Sequence, residues 1–148
     1  MNGTYVLIIE AVRDTELEVG HRGLLTFSKG YYAYVGSALS GLESRIRRHL
    51  RKPGDTKRLH WHIDFLLADP AVRVTEVVCS ESEERGECEI AAYLGAHLNS
   101  VAHFGCSDCS CFSHLFFSAS YAELQRQVYR GFHAGGATTF RAMKIKPV

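Results

Sequence analysis

Over residues 4–12 apolar and β-branched side chains follow one another almost without interruption, with one acid, Glu10, inside the run and polar residues on either side. A run this short carries no helical stripe and predicts a first strand. Leu17-Glu-Val19 and Leu24-Leu-Thr-Phe27 flank Gly20-His-Arg-Gly23, the form of a hairpin around a glycine-bounded turn. Ser28-Lys-Gly30 turns again into Tyr31-Tyr-Ala-Tyr-Val-Gly36, whose aromatics and alternation predict the next strand. The N-terminal quarter therefore reads as sheet.

The period then changes. Ser40-Gly-Leu-Glu43 has the S-x-x-E spacing of a capping box, and Leu42, Ile46 and Leu50 recur at i, i+4 and i+8 as the buried stripe of a helix that Pro53-Gly54 ends. Arg45 and His49 form their own i, i+4 pair beside that stripe and share a face. Residues 59–67 resume apolar spacing up to Asp69-Pro70 and predict a second helix, on which His60 and His62 flank Trp61 and point in different directions.

Val72, Val74 and Val78 mark a central strand. Residues 87–98 place Ile90, Ala91, Leu94 and Leu98 on one helical side, with Glu89 at the edge of the stripe. Leu115-Phe-Phe predicts a short strand, and Ser120-Tyr-Ala-Glu123 caps a last helix to about residue 130. Gly135-Gly136 leads to a basic tail. The pattern contains no repeat and no linker, so the expectation is one α/β (α+β) domain over residues 1–148, a small mixed or antiparallel sheet flanked by helices.

Composition adds exclusions. With 46% hydrophobic and 22% charged residues, and no apolar run of bilayer length, the chain is expected to be soluble and without a membrane partner. Its start has no cationic leader, and three of its five cysteines, Cys106, Cys109 and Cys111, crowd into six positions, a pattern of reduced thiols or metal ligands more than of a disulfide framework. A cytoplasmic setting is the expectation. The net charge is only +1, but it is segregated. Arg45, Arg47, Arg48, Arg51, Lys52, Lys57 and Arg58 face one acid, Asp55, whereas Glu76, Glu81, Glu83, Glu84, Glu87 and Glu89 face one base, Arg85. A cationic surface for a polyanion beside an acidic one for a metal would use both runs.

A tyrosine hydroxyl at a strand end and an arginine one or two helical turns on can converge on a phosphate, whose charge needs donors that stay protonated at neutral pH. Tyr34 and Arg45, with His49 one turn further on, are the residues for that role. Arg47, Arg48, Arg51, Lys52, Lys57 and Arg58 are read as solvated or phosphate-contacting, setting salt-dependent affinity without sequence specificity. Cys106, Cys109, Cys111 and His114 offer four soft ligands in nine residues. One tight loop strains to wrap a tetrahedron, so the reading prefers a reduced loop packed on the sheet to a zinc site.

On these residues the chain resembles the GIY-YIG nuclease superfamily, and more narrowly an uncharacterised subfamily of it sometimes joined to DNA-repair glycosylase domains. Gly3-Thr4-Tyr5 resembles the first signature triplet and Tyr34-Val35-Gly36 the second. Arg45, in Gly41-Leu-Glu-Ser-Arg-Ile-Arg-Arg-His49, matches the helix arginine, and Glu89, in Cys88-Glu-Ile-Ala-Ala, the later metal-binding glutamate. The narrower likeness also takes in residues 57–67 and 105–116. Asn99 stands where the superfamily has an asparagine. The residues 17–27 hairpin would then be an insertion between the two tyrosine strands.

The resemblance implies a divalent-metal-dependent endonuclease that hydrolyses DNA phosphodiester bonds, RNA being a further candidate, in DNA repair or recombination and with a repair enzyme as a candidate partner. It implies Tyr5 or Tyr34 handling the water proton, Arg45 and His49 on the phosphate, and Glu89 holding Mg²⁺ or Mn²⁺. The alternatives are a catalytically inactive nucleic-acid-binding accessory module and a zinc-stabilised interaction domain.

Overall fold

The first strand, β1 (Gly3–Ala11), is buried along nearly its whole length because it lies between two others, β4 (Gly30–Ala38) and β5 (Val72–Glu81), and is covered on both faces. That is why its sequence reads as a continuous apolar run. The computed structural model describes residues 2–51, 61–81, 86–105, 111–134 and 139–146. Among them, six strands form one antiparallel sheet in the order β6-β7-β4-β1-β5-β8, where β6 is Asn99–Ser100, β7 Leu115–Ser118 and β8 Arg141–Lys144. The expected antiparallel α+β domain is what is found, with helices on both faces.

One face of the sheet carries Tyr5, Leu7, Ile9, Tyr32, Tyr34 and Val77 and is covered by α1 (Leu42–Leu50), α2 (His62–Leu67) and the hairpin β2–β3 (Thr15–Glu18, Leu24–Phe27). The opposite face carries Val6, Ile8, Val35 and Val78 and is covered by α3 (Glu87–His97) and α4 (Tyr121–Ala134). Alternation along β1 and β4 sorts the two cores. The hairpin is an excursion as expected: Ala11 on β1 already pairs with Gly30 on β4, and the intervening β2–β3 form their own two-stranded sheet.

Three local expectations are corrected. Ser40 does not cap α1, because the cap is one residue later: Gly41 takes a left-handed conformation (φ 66°, ψ 46°), the Arg45 amide donates to its carbonyl at 2.9 Å, and no side chain caps the helix. The buried stripe of α1 is Leu42, Ile46 and His49, with Leu50 only half-buried. At about 100° per residue, His49 returns to within about 20° of Leu42 while Leu50 stands about 80° away. Finally, α2 begins at His62, with Trp61 extended before it (φ −91°, ψ 160°) and the Asp64 carboxylate accepting the Trp61 amide at 2.9 Å. The helix-ending Pro53-Gly54 lies outside the described residues, as do Leu59, His60 and Gly135-Gly136.

The Ser120 hydroxyl does cap α4, accepting from the Glu123 amide at 3.2 Å, and the helix runs on to Ala134. Strand β8 was not foreseen, since all four of its residues are exposed and carry no alternating pattern. It is anchored on Glu76 of β5, a fully buried carboxylate that accepts from Tyr121 Oη at 2.6 Å, Tyr129 Oη at 2.5 Å and Gln125 Nε2 at 2.8 Å, with Lys144 Nζ of β8 at 3.3 Å. Among the described residues no helix is long and apolar enough to cross a membrane.

Candidate functional site

Because β1 and β4 pair with Tyr5 opposite Gly36 and Leu7 opposite Tyr34, both tyrosines project from the same face of the sheet, toward α1. The two strands are remote in sequence and adjacent in space. Tyr5 lies across Gly36: a β-carbon at 36 would stand 2.4 Å from both Cζ and Oη of Tyr5. Glycine is required there for room.

Helix α1 brings the next two predicted residues to the tyrosines. Leu42 and Ile46 pack its apolar side into the sheet, which turns His49 inward, 2% exposed, with Nε2 2.8 Å from the Tyr5 hydroxyl. The imidazole also meets the rings of Tyr34 and Trp61, centroids 6.2 and 5.9 Å away. Arg45, one turn earlier, is partly exposed, approaches the Ser37 carbonyl at 3.4 Å, and sets its guanidinium 4.7 Å from the centre of the Trp61 ring.

The electrostatics of this pocket follow from burial. Burial pushes the Tyr5 phenol well above its ordinary range; the charge and hydrogen bond of Arg45 pull it down, and Glu87 and Asp64 push it further up. Tyr34 is raised well above the usual value for the same first reason, with Tyr5, Glu87 and Asp64 adding to the rise and Arg45 opposing it. Both phenols are therefore protonated at neutral pH.

Of the two acids in the first turn of α3, Glu87 is the one whose charge acts on the phenols. Glu89, the residue matched from sequence, is exposed on α3, whereas Glu87 is 8% exposed and its charge reaches both phenols. Residues two apart on a helix face different ways, so Glu87 and Glu89 do not point to the same place. The signal was in the sequence: Glu87 sits three, four and seven residues before Ile90, Ala91 and Leu94 and so belongs to the buried stripe itself. Asn99 is exposed on the edge strand β6.

The basic cluster divides. Arg48 is no surface contact: it makes a two-pronged ion pair with the fully buried Asp64, 2.9 Å for each prong, and its guanidinium lies 4.5 Å from the Trp61 ring centre. It joins α1 to α2 and holds Trp61 beside Arg45. Arg47 is exposed and 3.7 Å from Glu43, and Arg51 is exposed at the end of α1. Lys52, Lys57 and Arg58 lie outside the described residues. Trp61 and Asp64 went unassigned from sequence, because a residue's role as a partner of another helix leaves no periodic mark.

His62 is no part of this pocket. Its Nδ1 accepts from the Gly105 amide at 3.0 Å, and burial, aided by Arg22, lowers its pKa below the ordinary 6.5.

Behind the tyrosine strand stands a second cluster. Cys88 of α3, Cys111 and His114 place one ligand atom each within 4.8 Å of one another and form a candidate metal-binding group. Cys111 and His114 come from the expected cysteine loop and Cys88 from α3; Cys106 and Cys109 lie outside the described residues. Two sulfurs and an imidazole are a soft donor set, unlike one for Mg²⁺.

Comparison with curated proteins and with solved structures gives no match. A family profile does match, over residues 4–137, a span that takes in both tyrosine strands, α1, Glu87 and the Cys88–Cys111–His114 group. The chain belongs to that family, described as domain of unknown function DUF123.

Proposed function

We propose that the pocket formed by Tyr5, Tyr34, His49, Arg45 and Glu87 hydrolyses phosphodiester bonds of DNA with the help of a divalent ion, Mg²⁺ or Mn²⁺. The observation that carries this reading is the 2.8 Å approach of the Tyr5 hydroxyl to His49 Nε2 beside the Arg45 guanidinium. The resemblance to GIY-YIG nucleases supports it, with Glu87 standing in for Glu89 as the acid.

The Arg45 guanidinium presents donors suited to two phosphate oxygens. A buried phenol such as Tyr5 is a poor base by itself, but it can take a proton from the attacking water while passing its own to His49, so that no phenolate accumulates. Tyr34, protonated and beside His49, can donate to a phosphate oxygen. Among the described residues the charges of Glu87 and Asp64 both act on the phenols, and since Asp64 is paired with Arg48, Glu87 would hold the ion; a site with a single protein carboxylate would suit Mg²⁺. When bound, such an ion neutralises developing charge on the phosphate. The exposed Arg47 and Arg51 would steer the polyanion. A cytoplasmic place beside repair enzymes is in keeping with this chemistry.

The test is incubation with single-stranded, duplex and branched DNA in Mg²⁺ or Mn²⁺, comparing the parent protein with Arg45→Ala, Glu87→Gln and Glu89→Gln. Cutting by the parent and Glu89→Gln, but not by Arg45→Ala or Glu87→Gln, is the expected result. Equal cutting by all four is contamination and ends the reading; salt-dependent binding with no cutting on any substrate replaces it with an accessory binding module.

A further inference from the structure

The Cys88–Cys111–His114 group is held in a way that a loop of unpaired purpose would not need. His114 is 3% exposed and grips Val35 twice: its carbonyl accepts the Val35 amide at 2.9 Å, and its Nδ1 lies 3.0 Å from the Val35 carbonyl oxygen. A carbonyl only accepts, so Nδ1 carries the proton and Nε2 keeps a lone pair. That is the arrangement by which proteins fix the tautomer of a metal-ligating histidine. Cys88 and Cys111 line a cavity of about 430 Å³ bounded also by Ala91, Gly95 and Phe116, which gives an ion a way in.

We infer that these three residues bind a thiophilic divalent ion, zinc by preference, and that the ion ties the first turn of α3 to strand β4. Two thiolates and an imidazole are three of the four donors of a tetrahedral zinc ion. Bond lengths to zinc place such donors about 3.5–3.8 Å apart, a contraction of about 1 Å from the 4.8 Å limit within which they already lie. On binding, the two thiols release their protons to solvent and His114 coordinates through Nε2.

The position gives the ion its role. Cys88 directly follows Glu87, and His114 holds Val35 between Tyr34 and Gly36. The ion thus links the helix that carries the pocket's acid to the strand that carries its second tyrosine. The link to catalysis rests on the function proposed above; the binding of the ion does not.

The test uses the full chain purified without chelator, and reads metal rather than nuclease activity. The expected result is about one zinc per chain. Co²⁺ in its place should give thiolate-to-cobalt absorption, which Cys88→Ser and Cys111→Ser each abolish, with an affinity loss of more than about 100-fold, beyond what an outer partner of a ligand costs. Cys79→Ala, a change at a buried cysteine outside the group, should bind like the parent. Zinc should raise the melting temperature of the parent and not that of Cys88→Ser. Folded parent that shows no thiolate-to-cobalt band, or Cys88→Ser and Cys111→Ser that bind as the parent does, overturns the site; binding without a rise in melting temperature overturns the clamp. If the parent binds zinc yet cuts no DNA, the nuclease reading fails and the metal site stands.

Discussion

Tyr5 and Gly36 occupy one another's space: the phenol ring rests where a side chain at position 36 would begin, 2.4 Å from the site of its β-carbon. The glycine of Tyr34-Val35-Gly36 is thus the seat of a tyrosine from the neighbouring strand. Gly36→Ala should displace the ring and break the 2.8 Å approach to His49. A cost of about 1–3 kcal/mol in urea unfolding is expected from overpacking, together with loss of whatever activity the pocket has. Unchanged stability in Gly36→Ala would show that the ring does not sit there.

Removing only the Tyr5 hydroxyl separates chemistry from packing. Tyr5→Phe keeps the ring over Gly36 and should change stability by no more than about 1–1.5 kcal/mol, while lowering the rate of the proposed DNA cleavage by about 10²- to 10⁴-fold, the worth of a positioned proton-transfer group. Single-turnover cleavage alongside thermal unfolding makes the comparison; a variant that cuts at the parental rate removes Tyr5 from the chemistry.

Arginines one turn apart on α1 should respond in opposite ways. Arg45→Ala is expected to cost about 10²- to 10³-fold in cleavage with little loss of stability. Arg48→Ala strands the buried Asp64 and should cost about 3–5 kcal/mol in folding. Arg47→Ala, fully on the surface side, should alter only the salt dependence of DNA binding. Urea titrations of the three proteins, set beside their cleavage rates, give the answer.

Acid should act through Glu76. Burial pushes this carboxyl up, but hydrogen bonds from Tyr121, Tyr129, Gln125 and Lys144 outweigh it and hold the pKa below the ordinary 4.5. A depressed carboxylate contributes stability that is present above its unfolded pKa and lost as pH falls through the folded one. Melting temperature should therefore decline below about pH 4.5, and Glu76→Gln should flatten that decline while costing about 1.5–3 kcal/mol at neutral pH. An acid limb of equal slope in the variant would assign the decline to other carboxyls.

Elements whose burial marks the sequence as a period or as an unbroken apolar run were readable: β1, the hairpin, β4, α3 and α4 fall where the pattern predicts. What went unread depends on tertiary partners. His49 supplants Leu50 on the stripe of α1 because Tyr5 gives it a polar partner inside the core. Glu87 hides in an apolar stripe, buried where its charge acts on the two phenols. Trp61 and Asp64 serve residues on another helix, β8 is held by its backbone and by Lys144 on Glu76, and Cys88 joins Cys111 and His114 across a chain separation that no local spacing announces.

Ala11 already faces Gly30 across the ladder, so everything between them is, topologically, a loop, however much structure it holds. Evolution could replace those residues by a tight turn, or swell them into a lobe, and leave the tyrosine pocket where it is. Kinship among such proteins is then better judged by which residues oppose one another across the two strands than by how many separate them along the chain.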